Sequence, residues 1–162
     1  MGNDNYTASI QVEQSPEEVY KAVNNVRGWW SEEIEGPTDE LNKEWFYHYK
    51  DMHLCKMKVV EMVPNKKVVW EVLENHFSFI EEQEWEGNHI VIDITREQNL
   101  TQLNFTHEGL NPACACFDVC RDGWNNYIHK SLYQLITTGT GAPNPKEGEG
   151  FNKKLADKWK LK

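Results

Sequence analysis

The sequence predicts an α+β fold: a bent antiparallel sheet of about six strands wrapped around one long C-terminal helix. Three observations carry this expectation. Tyr6, Ala8, Ile10 and Val12 alternate with polar residues, as do Ile90, Ile92 and Ile94, and period two marks half-buried strands. The β-like segments between and after these are joined by short turns such as Pro64-Asn65-Lys66-Lys67. From about Pro112 the period becomes helical, and Phe117, Cys120, Trp124, Tyr127, Ile128, Ser131, Leu132 and Leu135 fall on one stripe. Strands joined by hairpins need no crossover helices, which argues against a parallel sheet. A sheet with one apolar face then needs a cover, and the amphipathic helix supplies it.

The elements follow in order. After the first strand, Ser15-Pro16-Glu17-Glu18 starts a helix: Ser15 can cap it, Pro16 suits the first helical position, and Glu18 completes a capping box. Val19, Tyr20, Ala22, Val23 and Val26 continue it to Gly28, and two short helices are expected here. Gly36-Pro37 marks a turn. Glu44 to Lys50 and His53 to Val63 read as strands, and Val68 to Leu73 as the returning strand. Residues 75–86 are mixed, acidic and aromatic, with no single period. Gly87-Asn88 turns the chain into Ile90, and a turn over 97–100 leads into Leu103, Phe105 and His107. Gly139 is expected just past the end of the long helix. The domain is expected over residues 1–143, with a Gly/Pro-rich linker and basic tail or short helix over 144–162.

Bulk properties narrow the function. A chain of 162 residues fits one domain, which buries roughly 70 % of its unfolded surface. Seven Trp, six Tyr and six Phe supply bulky material for a core or a pocket. A net charge of −9 repels nucleic-acid phosphates and anionic lipid heads, so neither is an expected partner. The basic cluster Lys153, Lys154, Lys158, Lys160 and Lys162 reads as a solvated helix rather than a membrane anchor. No apolar run approaches the roughly 20 residues of a membrane span. The N-terminus is polar from Gly2 to Asn5, without the pattern of a secretory signal, and Tyr6 stands where a myristoylation motif needs Ser or Thr. The sequons at Asn5, Asn99 and Asn104 are then chance matches, and the expected location is cytoplasmic, with four reduced cysteines.

Several motifs together resemble a known family. They are Ser15-Pro16-Glu17-Glu18-Val19-Tyr20, Gly28-Trp29-Trp30, the run from Val59 to Glu71, Phe105-Thr106-His107-Glu108-Gly109-Leu110, and Gly123-Trp124. They are similar to the activator of heat-shock protein 90 ATPase homologue family, within the START-like (SRPBCC) superfamily, over about residues 5–143. The resemblance implies a helix-grip fold with a cavity between sheet and long helix. The superfamily spans lipid carriers, hormone receptors and cyclases. The eukaryotic co-chaperones carry a separate N-terminal domain, whereas about four residues precede this one, so chaperone regulation is the second reading of function.

The candidate site is aromatic. Trp29 and Trp30 are consecutive and point about 100° apart on a helix, so one is expected to enter the interior and the other to cover its mouth. Trp70 shares a strand face with Val68 and Val72, while Trp124, Tyr127 and Ser131 lie on the helical stripe. Aromatic walls with a few polar groups suit a ligand site, although the same residues could form only a core. Phe105 and His107 end a strand in phase and face the same way. His107 could serve as a base in a hydrolase or cyclase, the third reading. Spacing places no Ser or Asp beside it, and a structural histidine fixing the following turn explains it more simply. Arg121 flanks the stripe and could hold a carboxylate, but a surface ion pair is the simpler role. Cys114, Cys116 and Cys120 with His107 or His129 could be drawn as a zinc site, yet C-x-C-x-x-x-C lacks the paired knuckles of structural zinc. No metal, cofactor or catalytic residue is assigned. The expected protein is a non-catalytic module that binds a small apolar or aromatic molecule through Trp30, Trp70, Phe105, His107, Trp124, Tyr127 and Ser131.

Overall fold

Seven strands form one antiparallel sheet in the order β1-β7-β6-β5-β4-β3-β2. The computed structural model describes residues 5–32, 34–49, 53–77, 85–114 and 117–143. The strands are β1 (Tyr6–Val12), β2 (Ile34–Glu35), β3 (Glu44–Tyr49), β4 (His53–Val63), β5 (Lys67–Phe77), β6 (His89–Glu97) and β7 (Leu100–Glu108). Helix α1 (Pro16–Asn24) and one 3₁₀ turn (Val26–Gly28) follow β1. The chain ends in α2 (Phe117–Asn126), a π-helical segment (Tyr127–Leu132) and α3 (Tyr133–Thr138). Asn126, Leu132 and Tyr133 all keep right-handed helical dihedrals, so the three pieces form one rod. The expected tail over 144–162 lies outside the described residues.

Local chemistry sets the boundaries. Ser15 caps α1: the Glu18 backbone N–H donates to its Oγ at 3.2 Å, and the Ser15 N–H donates to Glu18 Oε1 at 3.4 Å. Asn65 takes a left-handed φ of 65° at the β4–β5 turn, a conformation Asn tolerates. Gly139 closes the long helix at φ 87°, its N–H returning to Leu135 O at 3.0 Å. In β1 the burial alternates strictly, with Tyr6, Ala8, Ile10 and Val12 inside.

Two details differ from the sequence expectation. Among the described residues there are seven strands rather than about six, because β2 is only two residues long and leaves no periodic trace. The second short helix is a single 3₁₀ turn, stopped at Gly28.

The sheet must curl. Laid flat, seven strands about 4.8 Å apart would span about 29 Å, while a helix with its side chains is only about 10–12 Å across. Yet Tyr6 on β1 and Ile34 on β2, at opposite edges, belong to one core with Trp124, Ile128, Leu132 and Ile136 of the long helix. Two register shifts in the β4–β5 ladder, leaving Val60 and Leu73 unmatched, supply places to bend.

The long helix departs from the expected stripe at one point. Trp124 and Ile128 are buried as expected, but Ile136 takes the last core position and Leu135 is only partly buried. The π-helical turn before them explains the slip. Its i→i+5 bonding holds an extra residue per turn, so the buried face advances from Ile128 to Leu132 to Ile136.

The cap on α1 gives a direct check. Ser15→Ala removes the acceptor for one N-terminal N–H and should cost about 1 kcal/mol, read as a lower thermal midpoint with an unchanged circular dichroism spectrum. An unshifted midpoint would show that β1 and the 3₁₀ turn alone hold α1 in place.

Candidate functional site

The site grows from the short link after α1. The Trp29 N–H donates to Val26 O at 3.2 Å and closes the 3₁₀ turn, and the Trp30 N–H donates to the same oxygen at 2.8 Å, which fixes where the Trp30 ring leaves the backbone. That ring stacks on Tyr47 of β3 with centroids 4.2 Å apart, and meets Trp124 of the helix at 4.9 Å. Trp45 stands edge-on to it at 5.8 Å, and Trp70 of β5 lies parallel at 6.3 Å. Trp124 in turn meets Phe105 of β7 at 4.6 Å, and Phe105 meets Tyr6 of β1 at 6.0 Å. A continuous chain of rings therefore runs across the sheet, with the helix as its keystone. Trp29 was expected to divide roles with Trp30, one inside and one at the mouth. Both are buried, because the Trp29 indole folds back and donates to Val23 O at 3.1 Å.

His107 lies fully buried at the end of this chain. Trp124 Nε1 donates to its Nδ1 at 3.1 Å, and the Asn88 side-chain amide lies 3.1 Å from its Nε2. An indole N–H can only donate, so Nδ1 accepts and the ring hydrogen of a neutral imidazole sits on Nε2. The Asn88 amide must then turn its oxygen toward that hydrogen. Trp85 packs edge-on over the imidazole at 4.6 Å and stacks on Trp124 at 5.8 Å. With both ring nitrogens engaged, His107 joins sheet to helix.

The other expected residues divide. Trp30, Trp70, Phe105, His107 and Trp124 come together in the interior. Tyr127 is partly buried beside them, 6.2 Å from Trp30, and its phenol is hydrogen-bonded to that of Tyr47. Burial, reinforced by Tyr127, raises the Tyr47 phenol well above its ordinary range, and burial likewise pushes the Cys55 thiol up. The interior thus holds neutral polar groups and no ion among the described residues. Ser131 uses its hydroxyl elsewhere: Oγ donates to Trp29 O at 2.6 Å and accepts from the Ala142 N–H at 2.8 Å, tying helix to link and loop. Arg121 pairs with Asp118 and Asp122 at 3.5 and 3.1 Å on the surface, the simpler of its two expected roles. Cys114 donates weakly to Gly109 O at 3.4 Å, Cys120 is buried in the core, and Cys116 lies outside the described residues.

Sequence reasoning missed Trp45, Tyr47, Trp85 and Asn88. The first two carry a usable signal, since Trp45 and Tyr47 alternate on one face of β3. Trp85 lies within a stretch with no period, and the pairing of Asn88 with His107 joins residues 19 positions apart.

The buried Trp30 Nε1–H lacks a hydrogen bond of good geometry, although the Tyr47 phenol lies beside it; two further indoles stand out. Trp45 and Trp70 are fully buried, and their Nε1–H groups have no hydrogen-bond partner, whereas those of Trp29 and Trp124 do. A surface cleft of about 1020 Å³ lies apart from all these rings, between Ser15–Glu17, the β4–β5 turn and the end of β6. Its walls mix Glu17 and Asp93 with Lys66, Lys67 and Arg96, so it presents no single charge.

An antiparallel sheet curled around one long C-terminal helix, with an aromatic interior, defines a helix-grip domain of the START-like superfamily. Within it, the chain belongs to the family described as activator of Hsp90 ATPase homolog 1-like protein, whose family model matches residues 13–137. Solved structures carry the same fold. The Aha1 dimer from Colwellia psychrerythraea superposes with a TM-score of 0.69 at 23% identity, covering 85% of this chain and 98% of that one. A protein from Rhizobium loti gives 0.64 at 15% identity, covering 82% and 96%. A conserved protein of unknown function from Enterococcus faecalis gives 0.63 at 15% identity, covering 96% and 81%. At these identities the likeness carries the fold alone. No curated protein sequence matches the chain.

The histidine link is testable. His107→Leu fills similar space but leaves the buried Trp124 N–H without an acceptor, and should cost about 1–3 kcal/mol in denaturant unfolding. In the wild type, nitrogen NMR should show His107 with its hydrogen on Nε2. A hydrogen on Nδ1 would contradict the assigned bond.

Proposed function

We propose that this protein is a non-catalytic binding module that takes one small apolar or aromatic molecule between its sheet and its long helix. The π-helical segment Tyr127–Leu132 carries the reading. Six consecutive residues of i→i+5 helix are rare, cost regular hydrogen bonding, and recur at functional sites. This segment lies directly over the aromatic interior, between Trp124 and Ile136, and presents Tyr127 to Trp30 and Tyr47. A helix wound this loosely can shift by part of a turn, and such a shift would move Tyr127 and open the interior to a guest. The absence of a carboxylate, ammonium or guanidinium group among the described buried residues fits a neutral guest.

Seven tryptophans make binding visible. A ligand that enters should quench their emission and raise the melting temperature. At a hundredfold excess over Kd the folded state gains about 2.7 kcal/mol. The experiment is a panel of fatty acids, sterols and flavonoids read by thermal shift and fluorescence, with native mass spectrometry of the freshly purified protein. No shift across the panel and no bound mass would show that the rings serve only as core.

Family membership favours one second reading, regulation of a chaperone ATPase through a protein interface. A saturable stimulation of heat-shock protein 90 ATPase at micromolar concentration would put it first. The third reading, catalysis by His107, loses its support, since Trp124 and Asn88 occupy the imidazole.

A further inference from the structure

We infer that the guest of the aromatic interior is a planar aromatic carbonyl compound, and that the indole N–H groups of Trp45 and Trp70 select it by donating to its oxygen. The inference rests on the binding reading above and adds the chemistry of the ligand. Trp45 and Trp70 are each 0% exposed, and their ring centroids lie 5.2 Å apart at an interplanar angle of 87°. Neither Nε1–H has a hydrogen-bond partner. An indole nitrogen is a donor only, and a buried donor left unmatched is a standing cost that native interiors avoid.

Two neighbours in the same interior act as an internal control. Trp29 donates to Val23 O at 3.1 Å and Trp124 to His107 Nδ1 at 3.1 Å. This interior can therefore supply an acceptor to a buried indole, and Trp30, whose Nε1–H lacks a well-formed bond, still has the Tyr47 phenol beside it. At Trp45 and Trp70 it supplies none. The backbone cannot help, since both residues sit in the ladder between paired strands, Trp45 opposite Met57 and Trp70 opposite Val59 and Ile90. If packing were the whole role, phenylalanine would fill much of the same space without a stranded donor. Edge-to-face contact between the two rings offers an N–H only a weak π acceptor.

A guest carbonyl answers both donors, because one carbonyl oxygen carries two lone pairs. Its aromatic frame matches the stacked rings of Trp30 and Tyr47 nearby, 4.2 Å apart. A guest bringing its own N–H would set donor against donor and be rejected, the logic by which polar pockets discriminate most sharply.

Three probes share one tricyclic frame and separate these terms: 9-fluorenone has a carbonyl, fluorene has no polar group, and carbazole has only an N–H. By titration calorimetry, fluorenone should bind roughly tenfold more tightly than fluorene, the difference expected of a matched buried donor, and carbazole should bind most weakly. Replacing Trp45 and Trp70 with 3-benzothienylalanine keeps each ring and removes only the N–H, and should abolish fluorenone's advantage while leaving fluorene unchanged. Trp45→Phe and Trp70→Phe, checked for folding by near-ultraviolet circular dichroism, serve as a second pair. Equal binding of fluorenone and fluorene, or a fluorenone advantage that survives benzothienyl substitution, would overturn the inference while the binding reading stands. Failure of all three probes would overturn both.

Discussion

The packing of Trp30 is the contact on which the rest of the molecule depends. Its ring touches the far half of the sheet through Trp45, Tyr47 and Trp70, and the helix through Trp124 and Tyr127. Its position has a local cause. The capping box at Ser15 starts α1 at a fixed residue, and the 3₁₀ turn at Val26–Gly28 ends the connection so that residue 30 points inward. Burying a side chain of this size, 150–250 Å², contributes roughly 4–6 kcal/mol at most, a large share of a domain's net stability. The curl of the sheet follows from it, since strands at both edges can share a core only by wrapping around the ring and the helix beneath it.

Hydrophobic burial has no direction, so it cannot by itself set where along the sheet the helix lies. Three polar ties do that. The Tyr6 hydroxyl donates to Asn125 Oδ1 at 2.6 Å, Trp124 to His107, and Ser131 to Trp29 O. Tyr6 and His107 are themselves directly paired across β1 and β7, so two of the ties anchor consecutive helical residues to one spot on the sheet. Burial raises the Tyr6 phenol to about 12, which keeps it a donor throughout the neutral range. The third tie lies within the π-helical segment, on the other side of Tyr127. The helix is thus held on both sides of Tyr127.

Stability and the proposed recognition draw on different members of one aromatic set. Trp29 and Trp124 each have an acceptor and serve as fasteners. Trp45 and Trp70, a few ångströms away, are equally buried and hold unmatched donors. Outside, the surface is acidic, with a net charge of −9 over the chain. An acidic exterior around a neutral aromatic interior separates how the protein meets other macromolecules from what it could hold.

The sequence by itself determined the elements that rest on local chemistry. The Ser15 capping box, the alternation of β1 and β6, the Asn65 turn and the closing Gly139 are all interactions within a few residues, and each is where its pattern placed it. It also brought Trp30, Trp70, Phe105, His107 and Trp124 to one interior, because inward-facing positions on a strand or stripe converge once one core exists. What remained hidden was non-local. Strand β2 is two residues long and exists only because β3 offers it an edge. The π turn, which moves the last core position from Leu135 to Ile136, leaves no mark on a helical period read at 3.6 residues per turn. Ser131 looked like a cavity wall, and only the approach of Trp29, 102 positions away, claimed its hydroxyl. Which tryptophans find an acceptor and which do not is decided in the same way. A side chain's type states what bond it can make, but its partner is set by the tertiary structure, which brings distant segments within about 3 Å of each other.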